Sequence, residues 1–155
     1  MATSQEPQDS FGFLLHDVAR LLRKNFNRRV QSIGLTQEQC RVILQLSRHQ
    51  GIQQVQLAEL LEIKPITLAR LLDKLQENGL IERRQNPEDR RAFCLYLTRR
   101  AHPVLKKILA IGAATRADAN KDIAAAELDR LYSVLSRFKA NLISAEDDRL
   151  SNHGS

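Results

Sequence analysis

The stretch Val55–Asn78, VQLAELLEIKPITLARLLDKLQEN, decides how the rest of the chain is read. Leu57, Ala58 and Leu61 place one apolar face on a first short helix. Leu68, Leu71, Leu72 and Leu75 place another on a second, again at helical spacing. Pro65 stands where a first helical turn begins, and proline is tolerated there because that N–H has no partner within the helix. Ala58 is small enough for the two helices to cross closely. Helices this short need a third to lean on. The bend between them carries Glu62 where a helix-turn-helix often has glycine. Either a left-handed Glu62 bears a cost of about 1 kcal/mol, or the bend avoids positive φ. The outward face of the second helix, Lys64, Ile66, Thr67, Arg70 and Lys74, is basic and rich in reachable polar groups. A helix that lies in the major groove of DNA needs such a face. An ordinary hairpin with a solvated basic face is the plainer alternative.

Upstream, Leu14, Val18, Leu21, Leu22, Phe26, Val30 and Ile33 recur at threes and fours. They predict a first helix from Phe11, with Asp9 or Ser10 as its cap and Gly34 at its end. Thr36 with Gln39 three residues later predicts a capped second helix, with Cys40, Ile43, Leu44, Leu46 and Ser47 inward, ending at Gly51. This is the third helix that the central pair requires.

Downstream of Gly79 the period changes to two. Residues 80–85 and 92–98 read as strands, with Phe93, Leu95 and Leu97 on one face and Cys94 and Tyr96 on the other. Between them lies NPEDRR, which has the chemistry of a turn. Three helices followed by a hairpin make a winged helix-turn-helix. Six arginines fall between Arg83 and Arg100, against only Glu88 and Asp89, so positive charge concentrates at the wing.

Two further helices are expected, from about Arg99 to Asn120 with Thr98 as cap, and from about Ala124 to Ala145. Their apolar faces, with that of the first helix, are served most economically by a two-fold dimer. The expected fold class is therefore mainly α with a small β-hairpin wing: a winged lobe over 35–98 on a helical dimerisation base built from 11–33 and 99–145. Residues 1–10 and 146–155 read as flexible ends.

Composition sets the outer bounds. The chain has 155 residues, 43% apolar and 27% charged, a net charge of +6 and a pI near 9.7. That is globular and favours a polyanionic partner. No apolar run reaches the roughly 18 residues of a membrane span, and the N-terminus has no signal pattern, so a cytoplasmic protein is expected. Cys40 and Cys94 imply no disulfide framework. His16, His49, His102 and His153 are scattered and predict no metal site. With no phosphate loop, nucleophile elbow or paired carboxylates, no enzyme and no cofactor are expected.

The residues LAELLEI (57–63), PITLARLLDKLQENGLIERR (65–84) and NPEDRRAFCLYLT (86–98) resemble the MarR family of transcription regulators. The resemblance covers roughly 11–145 and is greatest to the SlyA-like branch. The hairpin is the most specific part, with Asp-Arg-Arg, three residues, then Leu-x-Leu-Thr. The resemblance implies an obligate homodimer whose recognition helices enter major grooves and whose wing tips enter minor grooves of double-stranded DNA. By motif position Ile66, Thr67 and Arg70 would contact bases, Arg91 would enter the minor groove, and Asp89 would brace the wing. Arg70 has the donors to bond guanine twice, and Arg91 suits a narrow, electronegative minor groove. Lys64 belongs to the same contact face, while Lys74 and Arg90 fit phosphates. The family also implies a small aromatic anion as effector, with His16, Arg20 and Cys40 the candidates to line its cleft. A palindromic operator and repression follow as the expected function. A protein-binding winged helix and a thiol-based redox regulator are the alternatives, although the family's peroxide-sensing cysteine lies in a first helix that here has none.

Overall fold

A computed structural model describes residues 10–152 of the chain. Asp9, the rest of the N-terminal segment and residues 153–155 lie outside the described residues. Six α-helices and three strands follow in order: α1 Phe11–Val30, α2 Gln37–Arg48, β1 Ile52–Gln53, α3 Gln54–Leu61, α4 Pro65–Glu77, β2 Ile81–Gln85, β3 Phe93–Leu97, α5 Ala101–Ala119 and α6 Ala125–Asn152. A 3-10 turn, Gln31–Ile33, follows α1 and ends on left-handed Gly34. The chain divides into two compact units, with the boundary after Arg116.

One core fills the first unit. It runs from Val30 through Cys40, Val42, Ile43 and Leu46 of α2, Leu57 and Leu61 of α3, and Leu68, Leu72 and Leu75 of α4, to Leu95 of β3 and Ala101 and Ile108 of α5. The leucine spacing of α4 makes this possible: residues 68, 72 and 75 share one face, and all three are completely buried. Local chemistry fixes the element ends. Thr36 Oγ1 accepts from the Gln39 backbone N–H at 3.2 Å, and Gln39 Oε1 accepts from the Thr36 N–H at 2.9 Å, which closes a reciprocal capping box. Pro65 opens α4 as its first helical residue.

The sheet is antiparallel in the order β1-β3-β2, and β2 pairs with β3 from Ile81↔Leu97 to Gln85↔Phe93. The two-residue strand β1 is unexpected from sequence, because two residues carry no periodicity. It pairs Ile52 with Leu95 and Gln53 with Cys94. Beyond it, the side chain of Gln50 accepts from the Leu97 N–H at 3.0 Å, which satisfies the strand edge.

Three further details differ from expectation. Ser10 occupies the N-cap of α1 but makes no side-chain capping bond. Thr98 does not cap α5 with its hydroxyl, which instead donates to the Gly79 carbonyl at 2.6 Å and ties the end of β3 to the exit from α4. Helix α6 continues to Asn152, through residues expected to be a mobile tail. Nothing between Ala145 and Asn152 breaks a helix, since no glycine or proline occurs there. Among the described residues, no helix is long and apolar enough to cross a membrane.

Candidate nucleic-acid interface

The bend between α3 and α4 sets the pose of α4. Glu62 adopts φ 54°, ψ 43°, the left-handed conformation, so the cost of a non-glycine residue there is borne. The Ile63 N–H returns to the Ala58 carbonyl at 3.1 Å, and Arg41 of α2 donates through Nη2 to the Leu61 carbonyl at 3.2 Å. Both bonds satisfy carbonyls that the end of α3 would leave open. Ala58 is buried at the crossing, as its size allows.

With Leu68, Leu72 and Leu75 sealed inward, the opposite side of α4 faces solvent. Lys64, Ile66, Thr67, Arg70 and Lys74 are all exposed, Ile66 by 62%. Thr67, Arg70 and Lys74 follow at three and four and form one stripe. Lys74 forms an exposed ion pair with Glu77 at 3.6 Å. Among the described residues, Lys64 and Arg70 have no acidic partner.

The wing tip folds on its own polar side chains. Asn86 Oδ1 accepts from the Glu88 N–H, and Asp89 Oδ1 accepts from the Arg91 N–H, each at 3.0 Å. The Asp89 carbonyl also accepts from the Ala92 N–H at 3.0 Å. The Asp89 carboxylate therefore sets the backbone that carries Arg90 and Arg91, and both arginines are exposed. Between wing and helices lies an open hollow of about 450 Å³, whose walls include Val55, Pro65 and Phe93 with Arg83 and Arg91.

Two arginines of β2 were not singled out by sequence. Arg84 stacks over Tyr96 at 4.3 Å and pairs with Glu82. Arg83 points the other way and bonds to α4: Nη1 to Asp73 Oδ1 at 2.8 Å and to Gln76 Oε1 at 2.9 Å, and Nη2 to the Ala69 carbonyl at 3.3 Å. The alternation Ile81, Arg83, Gln85 was the available signal, because it puts a charge on the face of a buried isoleucine.

The residues expected to line an effector cleft are not brought together. His16 and Arg20 lie on exposed parts of α1, with Arg20 paired to Asp17 at 3.4 Å. Cys40 is fully buried in the core, and its thiol is pushed up to about 11, first by burial and then by the charge of Glu38. A groove of about 330 Å³ does lie between α1, α2 and α5. Phe26, Leu44 and Ile108 contribute its apolar lining, and Arg23, Arg48 and Arg116 contribute positive charge. Among the described residues, no three His, Cys, Asp or Glu side chains gather as metal ligands.

A model of the MarR family matches residues 35–93, the span from α2 through the wing. The crystal structure of transcriptional regulator PA3341 is 38% identical, covers 87% of this chain and 99% of its own, and superposes with a TM-score of 0.77. The chain belongs to the MarR family. A crystal structure of MarR itself aligns over 94% of this MarR-family chain and 99% of its own, at 27% identity and a TM-score of 0.82. A cysteine-to-serine mutant of MarR from E. coli, crystallised with operator DNA, shares the fold at 23% identity, covering 88% of this chain and 99% of its own, with a TM-score of 0.75. The chain is thus a MarR-family transcriptional regulator with a winged helix-turn-helix fold.

Proposed function

We propose that this regulator binds double-stranded DNA as a homodimer and represses transcription from a palindromic operator. The observation that carries the reading is the exposed stripe of α4 beside an arginine-tipped wing, both fixed to one core. Ile66, Thr67 and Arg70 read bases in the major groove, and Lys64 lies at the edge of the same contact. Arg91 enters the adjacent minor groove, with Asp89 bracing it, while Arg90 and Lys74 hold phosphates. The E. coli MarR complex with operator DNA supports the same use of a shared fold.

The dimer reading rests on apolar surface. Leu14, Val18 and Leu21 of α1 and Leu131, Tyr132 and Leu142 of α6 are all exposed. Faces of this size call for a partner chain. Helices over 11–33 and 99–145 then form the base, and 35–98 forms the reading lobe. Two half-sites spaced by about one helical turn, roughly 34 Å, match a two-fold protein.

Selection of random duplexes by the purified chain, followed by titration, tests the reading. Arg70→Ala is expected to weaken binding by about 1–3 kcal/mol and to relax preference at one base pair. Arg91→Ala weakens binding with the fold retained. Failure to enrich any duplex would remove the proposal.

The three-arginine groove supports the finer reading that a small aromatic anion releases the operator. Its guanidinium groups suit a carboxylate, and its apolar wall suits a ring. Salicylate is the probe: it should lower operator affinity of the wild type and have little effect on Arg23→Ala. Equal response of both proteins excludes this groove as the effector site.

A further inference from the structure

Strand β2 alternates Ile81, Arg83 and Gln85 on one face, and Ile81 is buried. Arg83 therefore occupies a position where a charge must find partners or be excluded. Its side chain is only 18% exposed. All three of its acceptors lie on α4, at Ala69, Asp73 and Gln76. Those positions follow at four and three, so the guanidinium spans two turns along one side of α4, next to Arg70. Strand β2 leaves α4 through Gly79, held there by the Thr98 hydroxyl on the Gly79 carbonyl. That bond fixes the hinge, and Arg83 fixes the strand two residues beyond Ile81, on the way to the tip.

We propose that Arg83 is a positioning residue that locks the wing to α4, so that the base-reading helix and the groove-entering tip act as one rigid piece. This rests on the DNA-binding reading above. Arg83 lines the hollow beside Arg91, but its donors are directed into α4, so its role is geometric and not that of a phosphate contact. Its three acceptors are served from two separate nitrogens, Nη1 and Nη2, in one rigid plane, an arrangement that the single nitrogen of lysine does not reproduce. Without the lock, each DNA contact requires the wing to be ordered at the moment of binding, and affinity falls by that ordering cost.

The geometric role and direct phosphate contact predict opposite signs for one substitution. Asp73→Ala removes a negative charge near the interface. If Arg83 were a phosphate contact, releasing it from Asp73 would tighten binding. A lock predicts the reverse: Asp73→Ala weakens binding by about tenfold, the scale of one lost charged hydrogen bond. Arg83→Gln should weaken it at least as much, and Arg83→Lys should rescue little. Affinity of the full-length chain is measured on the duplex that the wild type selects, across several salt concentrations. The lock leaves the salt slope of both variants at the wild-type value, whereas loss of a phosphate contact lowers the slope of Arg83→Gln by about 1. Hydroxyl-radical footprints at saturating protein should keep the wing position in both variants, because the wing, once ordered on the duplex, makes the same contacts. Should Arg83→Gln lose its fold by circular dichroism, Asp73→Ala, which keeps the arginine and its other two partners, decides alone. Tighter binding by Asp73→Ala, or a reduced slope in Arg83→Gln, overturns the proposal. A wild-type chain that selects no duplex defeats the DNA-binding reading first, and the lock with it.

Discussion

In the unit that ends at Arg116, the leucines of α4 at helical spacing, Leu68, Leu72 and Leu75, are completely buried. In α6 the leucines Leu131 and Leu142, on a stripe with Leu135 and Phe138, are 50% and 67% exposed. Residue type and period are the same, and the outcome differs. Periodicity states that a face requires burial; it does not say what covers it. For α4 the first unit supplies the cover, drawn from Val30 at the end of α1, the rest of the helix-turn-helix, the wing strands and α5. The apolar stripe of α6 is where the proposed second copy of the chain would pack.

That contrast is most easily broken at α6. Leu131→Asp combined with Leu142→Asp would bury two unpaired charges at the proposed dimer contact. The variant should sediment at half the mass of the wild type. With the second half-site lost, operator affinity should drop by a factor on the order of 100 or more. A double variant that keeps wild-type mass would mean that α6 needs no partner.

The matching change in the first unit is Leu72→Ala. A cavity in a closed core costs about 2–5 kcal/mol, and the cost belongs to the lobe itself. Denaturant unfolding should show the loss while sedimentation still reports the wild-type assembly. If Leu72→Ala instead lowered the mass, the two regions would share one stability and the distinction drawn here would fail.

Much of the first unit was legible because its signals are local. The Thr36–Gln39 box, Pro65 at a helix start, the α4 leucines and the turn chemistry of NPEDRR each act within a few residues. What escaped notice depends on distant segments. Strand β1 exists because Ile52 meets Leu95, 43 positions away. The three-arginine groove draws on α1, α2 and α5, so no spacing announces it. Arg83 gave a signal, a charge in an inward register, but its partners lie back on α4.

The bend at Glu62 sharpens the comparison on a smaller scale, since here the lobe carries strain within its own architecture. Glycine adopts φ near 54° without the Cβ penalty, so Glu62→Gly should stabilise by up to about 1 kcal/mol, reduced by the extra freedom glycine has when unfolded. Thermal unfolding measures it. A lower midpoint would mean that the Glu62 side chain makes a compensating contribution.

The two cysteines divide along the same line between closed core and open surface, and their expected effect is the smallest. Cys40 is fully buried and Cys94 partly exposed. Burial, then Glu38, raises the Cys40 thiol from 9.0 to about 11. Below pH 9 the thiol is neutral in folded and unfolded chains alike, and its contribution to stability is fully present. Between pH 9 and 11 the unfolded chain ionises while the folded chain holds its proton, so that contribution is lost as pH rises. Unfolding free energy should therefore decline more steeply over this window in the wild type than in Cys40→Ala. The same neutrality makes Cys40 a poor nucleophile, because the thiolate is the reactive form. Iodoacetamide at pH 8 should label Cys94 and spare Cys40 until the protein unfolds. Rapid labelling of Cys40 in the native protein would show that the core around α2 opens, and it would return a thiol-responsive regulator to contention.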